Sequence, residues 1–207
     1  MAKYVSLTFD DGPNLGDDHT MNDMLDILEK HNVKASFFLI GNKINDNNKK
    51  VIRRAFDMGC DIENHSWTHP AMSDLTKEQM IEEYEKCDKA IVEITGKKPE
   101  FFRPPYIAVN DLLYKTIPTV FICGHGCQDW ENSVTAEDRY NMMMEGTKDG
   151  VLYLLHVMEG NTATLQAVDK IIPELKKQGY EFVTVPEMFK IKGIKETPHS
   201  GNMFTYC

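Results

Sequence analysis

The sequence predicts an α/β fold built around a parallel β-sheet, and two observations carry that reading. Short apolar runs alternate with segments of helical period from one end of the chain to the other, the pattern of successive βα units. The chain is also 207 residues long and 42% hydrophobic, enough to bury one sizeable core without disulfide or metal staples. No internal repeat, low-complexity segment or interior linker divides it, so a single domain is expected.

Taken in order, residues 4–9 form the first expected strand, and Thr20 opens a helix whose Met21, Met24, Leu25 and Leu28 fall on one face. Residues 35–40 make the second strand. Val51, Ile52, Ala55 and Phe56 give the next helix, which ends ahead of Gly59, and residues 61–63 follow as a strand. Thr76 with Gln79 three residues on is a capping-box pattern, and Met80, Tyr84, Cys87, Ile91 and Ile94 continue the stripe until Gly96 stops it. Strands at 101–103 and 119–123 come next, then a helix opened by Thr135 that carries Tyr140, Met143 and Met144, read as core filler. A strand at 151–155 precedes the stripe Leu165, Val168, Ile172 and Leu175, in which Pro173 is expected to kink or restart the helix. A seventh strand is placed at 182–185. Periodicity fades near Lys192, so residues 1–192 are taken as the domain and 193–207 as a loosely held tail. Seven strands suit an open doubly wound sheet or a barrel, and periodicity alone does not choose between them.

A formal charge of −9 argues against partners that are themselves anionic, nucleic acid and acidic lipid surfaces alike, and favours a neutral substrate. No apolar run is long enough to span a bilayer, and Met1-Ala2-Lys3 leads into the first strand without a signal-like core. Either a cytoplasmic protein or a domain of a longer precursor is expected. Five cysteines form an odd set with no CxxC pair, so neither a disulfide framework nor a thiolate zinc site is indicated, and Cys123 and Cys127 read as structural.

Both candidate architectures place function at the C-terminal ends of parallel strands, and the polar residues obey that rule. Asp10 and Asp11 follow the first strand, His65 and His69 the third and Arg103 the fourth. Asp129 lies after the fifth and His156 ends the sixth. In "NHSWTHP" the two imidazoles stand four apart, a spacing that lets both reach one metal ion. Two histidines plus one carboxylate, with positions left for water and substrate, make a catalytic rather than structural ligand set. Two adjacent aspartates leaving a strand point in divergent directions, so one can bind the metal while its neighbour faces the water held there, and the cation relieves their repulsion. Gly12 permits close approach of the backbone and Pro13 fixes the exit of the turn.

In that order, "TFDDGP", "HSWTHP", "RPPY", "QDW" and "LLH" resemble the five motifs of the NodB-homology polysaccharide deacetylases, carbohydrate esterase family four, over roughly residues 4–192. The resemblance implies a distorted, incompletely closed (β/α)7 barrel. It implies that Asp11, His65 and His69 bind one divalent metal, usually zinc and sometimes cobalt or nickel, and that Asp10 is the general base. Arg103 would orient Asp10, the N–H of Tyr106 would stabilise the oxyanion, and His156, held by Asp129, would protonate the leaving group. Trp130 and Leu154 would wall a pocket for the acetyl methyl, with Pro104 and Tyr106 also in the substrate site. Two positions depart from the family pattern: Ile107 stands where glycine is common, and Val157 follows His156 where aspartate is common. His19, His31, His125 and His199 match no motif position and are read as surface or loop residues.

The resemblance implies a hydrolase that removes acetyl groups from a polysaccharide. The stretches "FFRPPYIAVN", "CGHGCQDWENS" and "GYEFVTVPEMFKIKG" look most like acetylxylan esterase modules, which implies O-acetyl esters of xylan as substrate. The alternatives are N-deacetylation of chitooligosaccharide or peptidoglycan sugars, the same chemistry on small amides, and a binding module without turnover. A secreted protein is then expected, a monomer or a module of a larger cell-wall-degrading enzyme, with no nucleic-acid or membrane partner.

Overall fold

The structure, a computed structural model, describes residues 2–195 and 197–207. Nine strands form one curled sheet among the described residues. They are β1 (Lys3–Asp10), β2 (Ser36–Leu39), β3 (Asp61–Asn64), β4 (Phe101–Phe102), β5 (Val120–Ile122), β6 (His125–Gly126), β7 (Val151–His156), β8 (Tyr180–Phe182) and β9 (Met203–Phe204). Seven α-helices connect them: α1 (Thr20–Lys30), α2 (Lys49–Asp57), α3 (Lys77–Thr95), α4 (Asp111–Thr116), α5 (Ala136–Glu145), α6 (Thr162–Lys177) and α7 (Val185–Lys192). The order is β6-β7-β1-β2-β3-β4-β5-β9, and every pairing between named strands is parallel. The result is the distorted, incompletely closed barrel expected.

β1 is the axis of the fold. Its last six residues pair with β7, Asp10 standing opposite His156, while on its other side it meets β8 through Lys3, Tyr4 and Val5 and β2 through Thr8, Phe9 and Asp10. Both faces are covered, so the strand alternates without exposing either set. Val5, Leu7 and Phe9 pack into the layer of α1 and α6 with Leu25 and Ile172. Ser6, Thr8 and Asp10 are equally buried on the inner side of the curl. A separate apolar cluster, with Phe38, Phe101, Ile122 and Leu152, is closed by Val185, Met188 and Phe189 of α7.

Three expectations are corrected. Pro173 does not break its helix: α6 runs unbroken from Thr162 to Lys177, because Val168, Ile171, Ile172 and Leu175 are fully buried and hold the turn on either side of one missing N–H. The final strand lies at Tyr180–Phe182 rather than 182–185, since Thr184 caps the N3 amide of Glu187 and the Glu187 side chain returns the bond, starting α7. The tail departs from the loose end expected of it. β9 pairs with β5, Leu152 N–H donates to Thr205 O, Tyr206 bridges Val151 in antiparallel fashion, and Cys207 N–H donates to Gly150 O. The last residues thus lie across the opening between β5 and β7. All five cysteines are free thiols.

β3 carries an uncommon pair. Asp61 and Glu63, two apart on one face, are both buried. Glu63 Oε2 accepts the N–H groups of Glu100 and Phe101, each at 2.8 Å, which fixes entry into β4. Glu63 Oε1 and Asp61 Oδ2 have no partner among the described residues. Burial, reinforced by the Asp61 charge, pushes the Glu63 carboxyl well above its usual range. A raised folded pKa contributes stability in full below the unfolded value and loses it as pH rises through the folded one. Glu63→Gln keeps the acceptor for both amides and removes that loss. Thermal melts should therefore show the variant above the wild type by roughly 2–4 °C at pH 8, with the gap closing by about pH 4.5; an unchanged gap across that range would contradict the assignment.

Candidate active site

Four loops at the C-terminal ends of β1, β3, β4 and β7, with the turn that follows β6, deliver the polar residues to one cleft of about 540 Å³. Asp10, Asp11, His65, His69 and His156 line it, together with Pro104, Tyr106, Trp130 and Leu154. Arg103 and Asp129 stand behind the wall, both fully buried. Every site residue singled out in the sequence is therefore in or directly beneath this cleft.

The loops are held in conformations that side chains disfavour. Of eight non-glycine residues with left-handed φ among those described, six are Asp11, Ser66, His69, Tyr106, Ile107 and Gln128. All six sit in the segments that carry the site. Each such residue costs of the order of 1–3 kcal/mol, and a β-branched one is the least tolerant. Gly124 serves the opposite need. With φ +119, an added Cβ there would stand 2.8 Å from Leu154 Cβ and 3.2 Å from Arg103 Nη2, so the chain can pass that close only without a side chain.

His65 is fixed as a neutral imidazole with one free lone pair. Its Nδ1 donates to Arg103 O at 2.6 Å, and burial pushes its pKa down to about 3. Burial likewise lowers His69, which Asp11 and Asp10 only partly oppose. His65 Nε2 lies 3.2 Å from His69 Nε2, and Asp11 Oδ1 lies 3.6 and 3.4 Å from those two nitrogens. The nearest point equidistant from three atoms so spaced is about 2.0 Å from each, so an ion at zinc-bond length from nitrogen and oxygen can reach all three. Asp11 Oδ1 is buried and has no hydrogen-bond partner among the described residues. Three converging donors, one of them an orphaned carboxylate oxygen, fit a divalent cation.

Asp10 is 2% exposed and differs from its neighbour in being already engaged. Arg103 Nη1 donates to its Oδ1 at 2.5 Å, and Nη2 donates to Thr8 Oγ1 at 2.7 Å, whose hydroxyl in turn donates to Tyr153 O. The guanidinium lies 4.2 Å from the Phe38 ring centre. Asp10 Oδ2 faces the cleft, 3.6 Å from His65 Nε2. Burial raises its pKa, against the lowering by Arg103 and His156, so it is a stronger base than a surface aspartate while its charge stays compensated.

Opposite stands His156. Asp129 accepts its backbone N–H at 2.7 Å and its Nδ1–H at 2.7 Å, and also the Thr164 hydroxyl at 2.9 Å. Burial alone would lower the imidazole; hydrogen bonding and charge from Asp129, with Asp10 and Asp11 behind them, outweigh that and hold it at about 9. At neutral pH it is a cationic acid with Nε2 free. Asn161 and Arg139 complete the support: the Asn161 amide donates to Asp129 O and His156 O, and Arg139 Nη1 donates to Asn161 Oδ1 and Thr164 Oγ1. Reading the sequence gave no role to Thr8, although it opens the "TFDDGP" stretch, and missed Arg139, Asn161 and Thr164, which no local signal marks.

On the β4 side, the turn after Pro104 uses the N–H groups of Ile107 (to Pro104 O, 3.0 Å) and Ala108 (to Pro105 O, 3.1 Å), and not that of Tyr106. The Tyr106 ring is 72% exposed and rests on His69, centroids 4.7 Å apart. Trp130, 49% exposed, meets His156 edge-on at 5.7 Å. Together they frame the mouth with aromatic surface.

Residues 1–118 match the family model described as polysaccharide deacetylase. A bifunctional xylanase/deacetylase of Pseudobutyrivibrio xylanivorans is 44% identical over 192 residues, covering 93% of this chain and 31% of that protein. Peptidoglycan deacetylases of Listeria monocytogenes and Bacillus subtilis are 34% identical. The chain spans between about a third and two fifths of the length of these relatives, 31% to 40%. Among solved structures, the Xyl-CE4 domain of a multidomain xylanase from the hindgut metagenome of Trinervitermes trinervoides superposes with TM-score 0.95 at 42% identity, covering 100% of this chain and 98% of that one. A family 4 acetyl xylan esterase from Clostridium thermocellum, solved with a cobalt ion, gives 0.94 at 38% identity, covering 99% and 98%.

Proposed function

The chain belongs to the polysaccharide deacetylase family, and we propose that it hydrolyses O-acetyl esters of xylan. The observation that carries the proposal is the opposition, across one cleft, of a compensated carboxylate and a protonated imidazole with the three-donor cluster beside them. Xylan is favoured because the relatives named for it, at 38% to 44% identity, are more similar than those named for peptidoglycan, at 30% to 36%. The 31% share of the bifunctional relative that the chain covers, and the multidomain xylanase from which the Xyl-CE4 domain comes, support reading the chain as a module of a multidomain enzyme.

A divalent ion held by Asp11, His65 and His69 would supply a Lewis acid that lowers the pKa of water and polarises the acetyl carbonyl. Asp10 Oδ2, oriented by Arg103 through the other oxygen, accepts a proton from the attacking water. The N–H of Tyr106 donates to the oxygen on which negative charge develops. His156 Nε2 delivers its proton to the departing sugar hydroxyl, and Asp129 keeps the imidazole in the orientation that allows it. Trp130 and Leu154 wall the acetyl methyl.

Acetate release from acetylxylan and from N-acetylglucosamine oligomers tests this directly. The expected result is release from acetylxylan that falls at least about 100-fold after chelation and returns on adding zinc. Release from the amide oligomers alone would overturn the ester assignment. Inertness on both with zinc present would favour a binding module instead.

A further inference from the structure

Ile107 occupies the least favourable backbone position in the site. Its φ is 54, directly after Tyr106 at 56, and it is the β-branched residue among the six strained positions. Strain at Asp11 and His69 places polar donors. Ile107 has no polar side-chain atom to place, and its N–H is already satisfied by Pro104 O at 3.0 Å. Glycine would adopt the same turn freely. What distinguishes isoleucine here is the side chain, which is half-buried and lines the cleft next to Tyr106.

The turn that carries that side chain is held at both ends. Pro104 and Pro105 stiffen the entry to the turn, Ala108 N–H closes onto Pro105 O, and two residues later Asn110 ties the exit by donating to Ser73 O at 2.7 Å and capping α4 through Leu113 N–H at 2.8 Å. The cleft it enters is lined by two aspartates and three histidines and by no lysine or arginine. The protonated side chain of the cleft, His156, is already paired with Asp129 at 2.7 Å, so a carboxylate carried on a sugar beside Ile107 would meet apolar surface from Ile107, Tyr106 and Pro104.

Resting on the hydrolase reading above, we propose that Ile107 is a specificity-determining residue: a rigid apolar shoulder that admits acetylated sugars whose neighbouring positions carry only hydroxyls and rejects those bearing a bulky, ionised branch. It acts on which sugar binds, so its effect falls on KM more than on kcat.

The probes are two acetylated xylo-oligosaccharides, one unbranched and one with a uronic acid on the acetylated sugar, with 4-nitrophenyl acetate reading the chemistry without a sugar. Wild type should favour the unbranched oligomer by tenfold or more in kcat/KM. In Ile107→Gly that preference should shrink by about tenfold through a lower KM for the branched oligomer, in the range that one hydrophobic side chain commands. Ile107→Val, which keeps the β-branch, should retain it. Thermal melts establish that both variants are folded. Calorimetric binding of the same oligomers reads the shoulder even without turnover. A protein inert toward all three substrates with zinc present would refute the hydrolase reading. An equal preference in wild type and Ile107→Gly, in kinetics or in binding, would overturn the shoulder.

Discussion

Asp10→Asn should lower kcat/KM on acetylxylan by about a thousandfold, the middle of what a positioned general base contributes, while leaving one bound zinc per chain. The two aspartates look alike in the sequence, and both approach His65 Nε2 at 3.6 Å. Their surroundings separate them. Asp11 Oδ1 faces His69 Nε2 at 3.4 Å and has no hydrogen-bond donor, whereas Asp10 is anchored to the buried Arg103 and turns one oxygen to the cleft. An amide at position 10 can still accept from Nη1 but cannot take a proton, so KM should change little and kcat should fall. A second effect accompanies the first. Arg103 is fully buried, and removing its counter-charge leaves a guanidinium without compensation, which costs about 3 kcal/mol or more in stability. Metal analysis of the folded variant decides the matter: loss of zinc together with activity would make Asp10 a ligand and reverse the roles assigned to the pair.

Asp129→Asn should produce the other large effect, and it should appear in the pH profile. In the wild type His156 is held protonated up to about 9 despite burial, chiefly by Asp129. The activity that depends on its proton is therefore present at neutral pH and is lost as pH rises through that value. The same pair contributes stability in full below the unfolded histidine pKa of about 6.5 and loses it toward 9. With asparagine the main raising influence is gone while burial remains, so the alkaline limb of kcat/KM should move to lower pH. The Thr164 hydroxyl, which donates to Oδ2, would also meet an amide nitrogen in one of the two orientations. At pH 8 the combined loss should reach at least about 100-fold, by analogy with the removal of an orienting carboxylate elsewhere. An alkaline limb unmoved by the substitution would show that the acid is some other group.

What could be read in the sequence follows the range over which each signal acts. Thr76 with Gln79, and Thr135 with Asp138, announce helix starts because a capping box is complete within four residues. The same chemistry at Thr184 and Glu187 was legible but was overridden by the apolar run leading into it. The two-residue strands β6 and β9 carry no period of their own; they exist because β7 and β5 offer unpaired edges, which depends on residues far away in the chain. The cleft divides similarly. Asp10, Asp11, His65, His69 and His156 were visible because ligand and strand-end chemistry is local. Arg139, Asn161 and Thr164 act only through Asp129 and His156, and a buried arginine on a helix looks from its neighbours like any surface one.

The strand that closes the gap beside β5 has a consequence for biosynthesis. β9 leaves the ribosome roughly 80 residues after β5, which at 5–20 residues per second is about 4–16 s. During that interval the β5 backbone groups on that edge, among them the Cys123 N–H that pairs with Phe204 O in the finished fold, have no neighbour, a row on which another molecule's strand can dock. Solubility during production should therefore depend on a segment that contributes no group to the chemistry.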